Sequence, residues 1–328
     1  MNRFSVRRAL LALALTATAF AAPAQGDKQP IHLLVGFAPG GAADTLARLL
    51  ADKLREPLGG QQIIVDNKPG IGGRLAAMAL KNAAPDGLTY MVAPNATLVF
   101  QALEYPVSVL HYDMATDFTS VAQVVSYPMA MVVNASTGVA NAREYVAWVK
   151  AHPEQANFGT AGLGGDTHFN GLQFAKVAGI KMNPVPYRGN GPLVTDLLGG
   201  QILAANLVAG DALQHVKAGK LRYIGVYAPA RSPLLPDVPT MAEQGFDTGG
   251  SNGWMGLWAP AKLPKAELER MQAALQQVLA EPEVKEMMAT RFAQVADYRS
   301  GAEVDRELQR ELAHWGPVIK ASGFSPQP

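Results

Sequence analysis

The stretch that most constrains this chain is Ile31-His-Leu-Leu-Val-Gly-Phe37 followed by Ala38-Pro39-Gly40-Gly41-Ala42-Ala43-Asp44. Its first seven residues are apolar apart from His32 and read as a buried strand. Pro39-Gly40-Gly41 breaks that strand, and Leu46, Leu49, Leu50 and Leu54 then recur at helical spacing. A buried strand that feeds a glycine turn and a helix aims several unpaired backbone N–H groups into one small space. The helix dipole adds partial positive charge there, so a carboxylate or phosphate is stabilised without a basic side chain. A tight strand-to-helix turn with no ligand is the plainer alternative.

The same pattern returns at Phe158-Gly-Thr160-Ala-Gly162-Leu-Gly164-Gly165-Asp166-Thr167-His168. Between the two turns, short β-branched runs alternate with helical stripes: Gln62 to Asp66, Leu75 to Leu80, and Thr89 to Ala93 before Pro94-Asn95-Ala96-Thr97. Such spacing implies βαβ units and a mainly parallel sheet. From Phe118 to Asn134 runs a long apolar stretch with Tyr127-Pro128 in its middle, as expected of a strand that leaves one sheet and enters another. The alternation restarts after it and closes at Met255 to Ala259, which is preceded by Gly249-Gly250-Ser251-Asn252-Gly253. The rest of the chain is helical by pattern, with a last long helix over 302–322. Two sets of βα units joined by two crossings predict an α/β protein of two lobes with a cleft between them. The expected division is residues 25–125 and 251–328 in the first lobe and 126–250 in the second.

Residues 1–24 belong to neither lobe. Arg3, Arg7 and Arg8 precede an apolar core from Ala9 to Ala22, and Ala22-Pro-Ala24 offers a small-x-small cleavage pattern before Gln25. The core is shorter than the roughly twenty apolar residues of a membrane-spanning helix. A secretory signal peptide cut after Ala24 is expected, and the zero cysteine count leaves no lipid-anchor site. Removing three arginines changes 28 basic against 27 acidic residues into 25 against 27. A near-neutral chain with no basic face argues against nucleic acid or a membrane surface as partner. An exported fold of this size without cysteine relies on its core and not on disulfides.

Catalytic patterns fit poorly. Gly249-Gly-Ser251-Asn-Gly253 matches the nucleophile-elbow string, yet a loop precedes it and a strand follows, the reverse of what that motif needs. The six histidines show no metal-ligand spacing. Neither glycine turn carries a phosphate-loop or dinucleotide fingerprint. No cofactor and no metal are implied. Asp44, in the first helical turn, suits the helix dipole and reads as structural before it reads as a ligand contact. His168 reads as a packing or hydrogen-bonding histidine.

Taken together, the chain resembles the solute receptors of tripartite tricarboxylate transporters, the TctC or Bug family. The resemblance is carried by Phe37-Ala-Pro-Gly-Gly-Ala-Ala-Asp44, Val65-Asp-Asn-Lys-Pro-Gly-Ile-Gly-Gly73, Ala84-Pro-Asp-Gly-Leu-Thr89, Pro186-Tyr-Arg-Gly189, Asp196-Leu-Leu-Gly-Gly-Gln201, Ala218-Gly-Lys-Leu-Arg222 and Arg231-Ser-Pro-Leu-Leu-Pro-Asp-Val-Pro-Thr240. It implies the two-lobed type II periplasmic binding-protein fold and a monomer located in the periplasm. It also implies capture of a small carboxylate, through backbone N–H groups and water, for delivery to the membrane subunits of such a transporter. The expected ligand contacts are Phe37, Ala38, Gly40, Gly41, Ala42, Asp44 and Asn95 from the first lobe. From the second they are Thr160, Gly162, Gly164, Gly165, Asp166, His168, Arg188 and Leu207. Two departures stand out. Gly165-Asp166 occupies a place where the family commonly has serine, and a carboxylate there needs a hydroxyl, an ammonium or a protonated group on the ligand. Members that bind amino acids commonly carry an aspartate near Leu207, so the apolar residues here favour a ligand with an apolar or aromatic body. Two other classes stay open: a periplasmic sensor feeding a kinase, and a hydrolase using Ser251 and His168.

Overall fold

The computed structural model describes residues 29–250 and 252–326. The signal-peptide expectation and Ser251 therefore lie outside the described residues. The first lobe opens with β1 (Ile31–Val35), α1 (Ala42–Lys53), β2 (Ile63–Asn67), α2 (Arg74–Lys81), β3 (Thr89–Pro94), α3 (Ala96–Glu104), α4 (Val107–Leu110) and β4 (Phe118–Tyr127). Ile31, Leu33 and Val35 of β1 are fully buried, as a central strand requires. Leu46, Ala47, Leu49 and Leu50 are the buried stripe that seats α1 on the sheet.

Pro128 cannot donate a ladder hydrogen bond, and the chain changes sheet at that residue. The second lobe then comprises β5 (Met129–Asn134), α5 (Ala142–Ala151), β6 (Asn157–Thr160), α6 (Asp166–Val177), β7 (Asn183–Pro186), α7 (Asn190–Leu198), β8 (Ala204–Val208), α8 (Ala209–Lys217) and β9 (Leu221–Val226). The segment after β9 stays with this lobe: Gln244 Nε2 donates to the Ile224 carbonyl at 2.9 Å, and Gln244 Oε1 accepts from the Ala142 N–H at 2.7 Å. The chain returns through β10 (Gly253–Pro260) and finishes on the first lobe with α9 (Lys265–Ala280), α10 (Pro282–Phe292), β11 (Val295–Ser300) and α11 (Gly301–Ser322).

The six-stranded sheet has the order β11-β4-β10-β3-β1-β2, and the five-stranded sheet β7-β6-β8-β5-β9. Strand sense is more mixed than the βα alternation predicts. β1 is parallel to β2 and β3, and β6 to β7 and β8. Every antiparallel pair contains β4, β5 or β10, the strands that enter or leave a crossing. A chain that leaves a sheet and later comes back beside its own exit strand runs against it. The two-lobed α/β architecture follows from those two crossings.

Candidate functional site

A cleft of ≈ 690 Å³ lies between the lobes. Five helices bring their first turns to its wall: α1 with Gly41, Ala42 and Ala43, α3 with Ala96 and Thr97, α6 with Asp166 and Thr167, α7 with Asn190, and α8 with Gly210 and Asp211. Each such turn carries N–H groups with no intrahelical acceptor and about half a positive charge. Phe37, Ile71, Phe100, Leu163, Met255 and Phe292 supply apolar wall.

On the first lobe, the glycine turn is built around Asp44. Its carboxylate is almost wholly buried and accepts from Arg48 Nε and Nη2, both at 2.9 Å, and from Asn67 Nδ2 at 2.9 Å. It also accepts from the Gly40 N–H at 2.8 Å, where Gly40 adopts φ +85°, a conformation that suits a residue without Cβ. The Arg48 hydrogen bond outweighs burial, and Asp44 is held down to about 2. Asn67 Nδ2 further donates to the Phe37 carbonyl at 3.1 Å. Asp44 thus ties the strand end, the turn and the helix together from behind. The first-turn N–H groups of α1 have no side-chain cap and open toward the cleft.

The second lobe's turn is closed from within. Thr167 Oγ1 lies 2.7 Å from Thr160 Oγ1, which donates to the Gly162 carbonyl at 2.8 Å. His168 Nδ1 accepts from the Gly164 N–H at 3.2 Å, and burial holds the ring down to about 4, so it is neutral. Phe169 and Phe324 pack on it at 4.9 and 5.5 Å. Asp166 Oδ1 accepts from the Thr167 N–H at 2.8 Å, and burial raises the pKa of the Asp166 carboxyl. One N–H at the start of α6, that of Thr167, is therefore taken by the chain's own carboxylate, and the helix has no side-chain cap at Gly165.

Of the expected contacts, Phe37, Gly41, Ala42, Gly162, Gly164, Gly165 and Asp166 line the cleft. Gly40, Asp44, Thr160 and His168 hold the two turns from behind, and Ala38 lies beside the first without forming the wall. Asn95 is buried and donates to both oxygens of Glu311, at 3.1 and 3.0 Å. Arg188 is exposed and off the wall. Leu207 is fully buried in the second lobe's core, and its strand neighbour Val208 reaches the cleft instead, because successive β8 side chains face opposite ways. Leu207 thus does not reach the ligand, and Val208 is the apolar residue of that stretch on the wall.

Sequence reasoning passed over Glu104, Asn190, Asp211 and Gln294, which also line the cleft. Glu104 is the one charged residue of an otherwise apolar and amide-bearing helix, Ala-Thr-Leu-Val-Phe-Gln-Ala-Leu-Glu, which is a readable signal. Burial pushes its carboxyl up to about 7, against the pull of Arg74. Arg74 itself is buried behind the wall, donating to Gln101 Oε1 at 2.9 Å with its guanidinium 4.3 Å above the Tyr105 ring. Among the described residues, no group of three or more acidic, His or Cys side chains is placed to hold a metal, and no helix is long and apolar enough to cross a membrane.

Two α/β lobes joined by crossing strands, with helix starts converging on the cleft between them, define a solute-binding receptor. Within that class the chain belongs to the tripartite tricarboxylate transporter family receptors, TctC, whose family model matches residues 46–324. It is 34% identical over 323 residues, 95% of this chain and 91% of the relative, to the "UPF0065 protein in the TAR-I ttuE-ttuC' intergenic region" of Agrobacterium vitis. It is similar in structure to a Rhodopseudomonas palustris protein solved with adipate, with TM-score 0.79 and 26% identity over 92% of this chain and 99% of that one. MatC of the same organism, solved with bound malate, gives TM-score 0.74 and 28% identity over 89% and 99% of the two chains.

Proposed function

We propose that this chain is a periplasmic receptor that captures a small carboxylate between its lobes and passes it to the membrane subunits of a tripartite tricarboxylate-type transporter. The observation that carries the reading is the first turn of α1, whose N–H groups open onto the cleft without a side-chain cap. A carboxylate seated there gains charge-assisted hydrogen bonds and the helix dipole without any Lys or Arg. The ligands of the malate and adipate complexes are of the same chemical class. Phe37, Ile71 and Phe100 would cover the ligand's hydrocarbon part. Nothing is turned over in this reading: Asp44 and His168 are committed to holding the turns. The lobes close because the closed state binds ligand better than the open one.

The test is a thermal-shift screen of the mature chain over aliphatic and aromatic mono-, di- and tricarboxylates and their amino analogues. A true ligand raises the melting temperature with its logarithmic concentration, and is recovered chemically unchanged. A panel that shifts nothing, or a ligand recovered as product, overturns the reading.

A further inference from the structure

We infer that the first lobe carries a second binding site, outside the cleft, for an uncharged molecule with a carbonyl acceptor on a flat apolar body. The site is a cavity of ≈ 610 Å³ at the β11 corner of the six-stranded sheet. Its cause lies in strand pairing. β11 accompanies β4 only as far as the pair of Ser300 with Ala122, and the chain then turns into α11 at Gly301. β4 begins four residues before that pair, and over Phe118 to Ser120 it is matched by β10 on its other side. Gly301 packs directly on the Ser120 carbonyl, where any Cβ would collide with the oxygen. The uncovered edge of β4, the start of α9, the first turn of α11 and the loop at Met114 enclose the space.

The polar groups on this wall select the occupant. Gln272 Nε2 donates to the Val121 carbonyl at 2.8 Å, and Thr119 Oγ1 donates to the Pro260 carbonyl at 3.2 Å, so both are already used. Trp258 differs from them. It lies on the wall at 1% exposure, and its indole N–H has no acceptor. A buried donor left unpaired is rare in a folded chain, and an acceptor from a ligand or a water answers it. The first turn of α11, a helix of 22 residues, adds the N–H groups of Gly301 and Ala302, which have no intrahelical acceptor. Both observations ask for an acceptor. A full anion is disfavoured, because Asp305 is the only charged side chain on the wall among the described residues. Glu303 adds a second carboxylate at the same helix start, accepting from the Ser300 N–H at 2.8 Å. A carbonyl oxygen answers the indole without bringing charge. Met114, Phe118, Leu268 and Leu308 offer apolar wall to the rest of the molecule.

Benzamide, benzoate and isopropylbenzene form a matched set, in which the amide is exchanged for a carboxylate and for an apolar group of similar shape. The measurement is heteronuclear NMR of the isotope-labelled mature chain, whose four tryptophans give four indole N–H resonances to be assigned through bonds. Benzamide is expected to move the Trp258 resonance downfield and saturably. Its affinity, read from that resonance, should exceed those of benzoate and isopropylbenzene by roughly three- to tenfold, the worth of one neutral hydrogen bond. Reading Trp258 alone keeps benzoate held in the cleft out of the comparison. Ala302→Phe places a ring in the cavity from an exposed helix position and should abolish the shift with the circular dichroism spectrum unchanged. Should that variant not fold, Ala115→Phe, also exposed and on the wall, takes its place. A resonance that benzamide leaves still, as when water alone answers the N–H, overturns the inference. So does a preference for benzoate, or an equal shift in the folded variant, and the receptor reading stands in each case.

Discussion

Glu311 shows how a single buried carboxylate can shape this protein's response to pH. It is fully buried, and its hydrogen-bond partners are neutral donors: Asn95 Nδ2 on both oxygens and Trp254 Nε1 at 2.8 Å. Burial outweighs those bonds and pushes the carboxyl up to about 7 from an ordinary 4.5. The folded chain therefore holds this proton more tightly than the unfolded chain does. The stabilisation is complete below pH 4.5 and is lost as pH rises toward about 7, by on the order of 3 kcal/mol if the shift is fully realised. Urea denaturation of Glu311→Gln across that window should give a flatter stability profile than the parent. Glu104, also raised to about 7 by burial, retains part of the slope in both proteins. Parallel profiles would mean that the three hydrogen bonds from Asn95 and Trp254 keep Glu311 ionised throughout. Asn95 is among the ligand contacts that the resemblance implies. The partner it meets, 216 residues on, is invisible to local pattern.

At the scale of elements, the turn between β1 and α1 is where sequence and geometry can be separated by one substitution. Gly40 has φ +85°, whereas Gly41 has φ −76° and ψ 170°, an ordinary extended conformation. A Cβ on Gly41 would meet only the Ala38 carbonyl, at 3.5 Å. Gly41→Val should therefore fold without backbone strain while its side chain occupies ligand space. The expected result is an unchanged circular dichroism spectrum and a roughly ten- to hundredfold loss of affinity in calorimetry. Full affinity in the folded variant would place the carboxylate elsewhere. This turn was readable because a buried strand, a proline-glycine break and a leucine stripe each carry a physical cause. β11 was not readable: Val-Ala-Asp-Tyr-Arg-Ser is a half-buried edge strand without an apolar run, and its pairing with β4 shifts register midway. Leu207 was misread because one residue of offset in a strand exchanges the core face for the cleft face.

For the whole molecule, the question is how two lobes with separate sheets respond to what lies between them. The covalent links are the Tyr127-Pro128 crossing and the return into β10. Across the cleft the lobes already touch. Phe100 of α3 stacks on Phe169 of α6 at 5.7 Å, with Trp315 of α11 5.5 Å from Phe100. Glu104 approaches Gly164 so closely that a Cβ there would sit 2.5 Å from Oε1. These contacts are apolar stacking and the approach of Glu104, whose Oε1 has no hydrogen-bond partner, and a ligand bridging both lobes would add polar contacts to them. Ligand should therefore draw an open population into the closed one, and small-angle scattering should show a smaller radius of gyration at saturation. Gly164→Ala supplies the control. Its methyl group would have to displace Glu104 before the lobes could meet, and φ +82° adds local strain in a buried turn. The variant should keep its circular dichroism spectrum, bind more weakly and contract less. Equal contraction in both proteins would show that closure does not pass through the Glu104–Gly164 contact, and no contraction in the parent would mean that the two crossings do not act as a hinge.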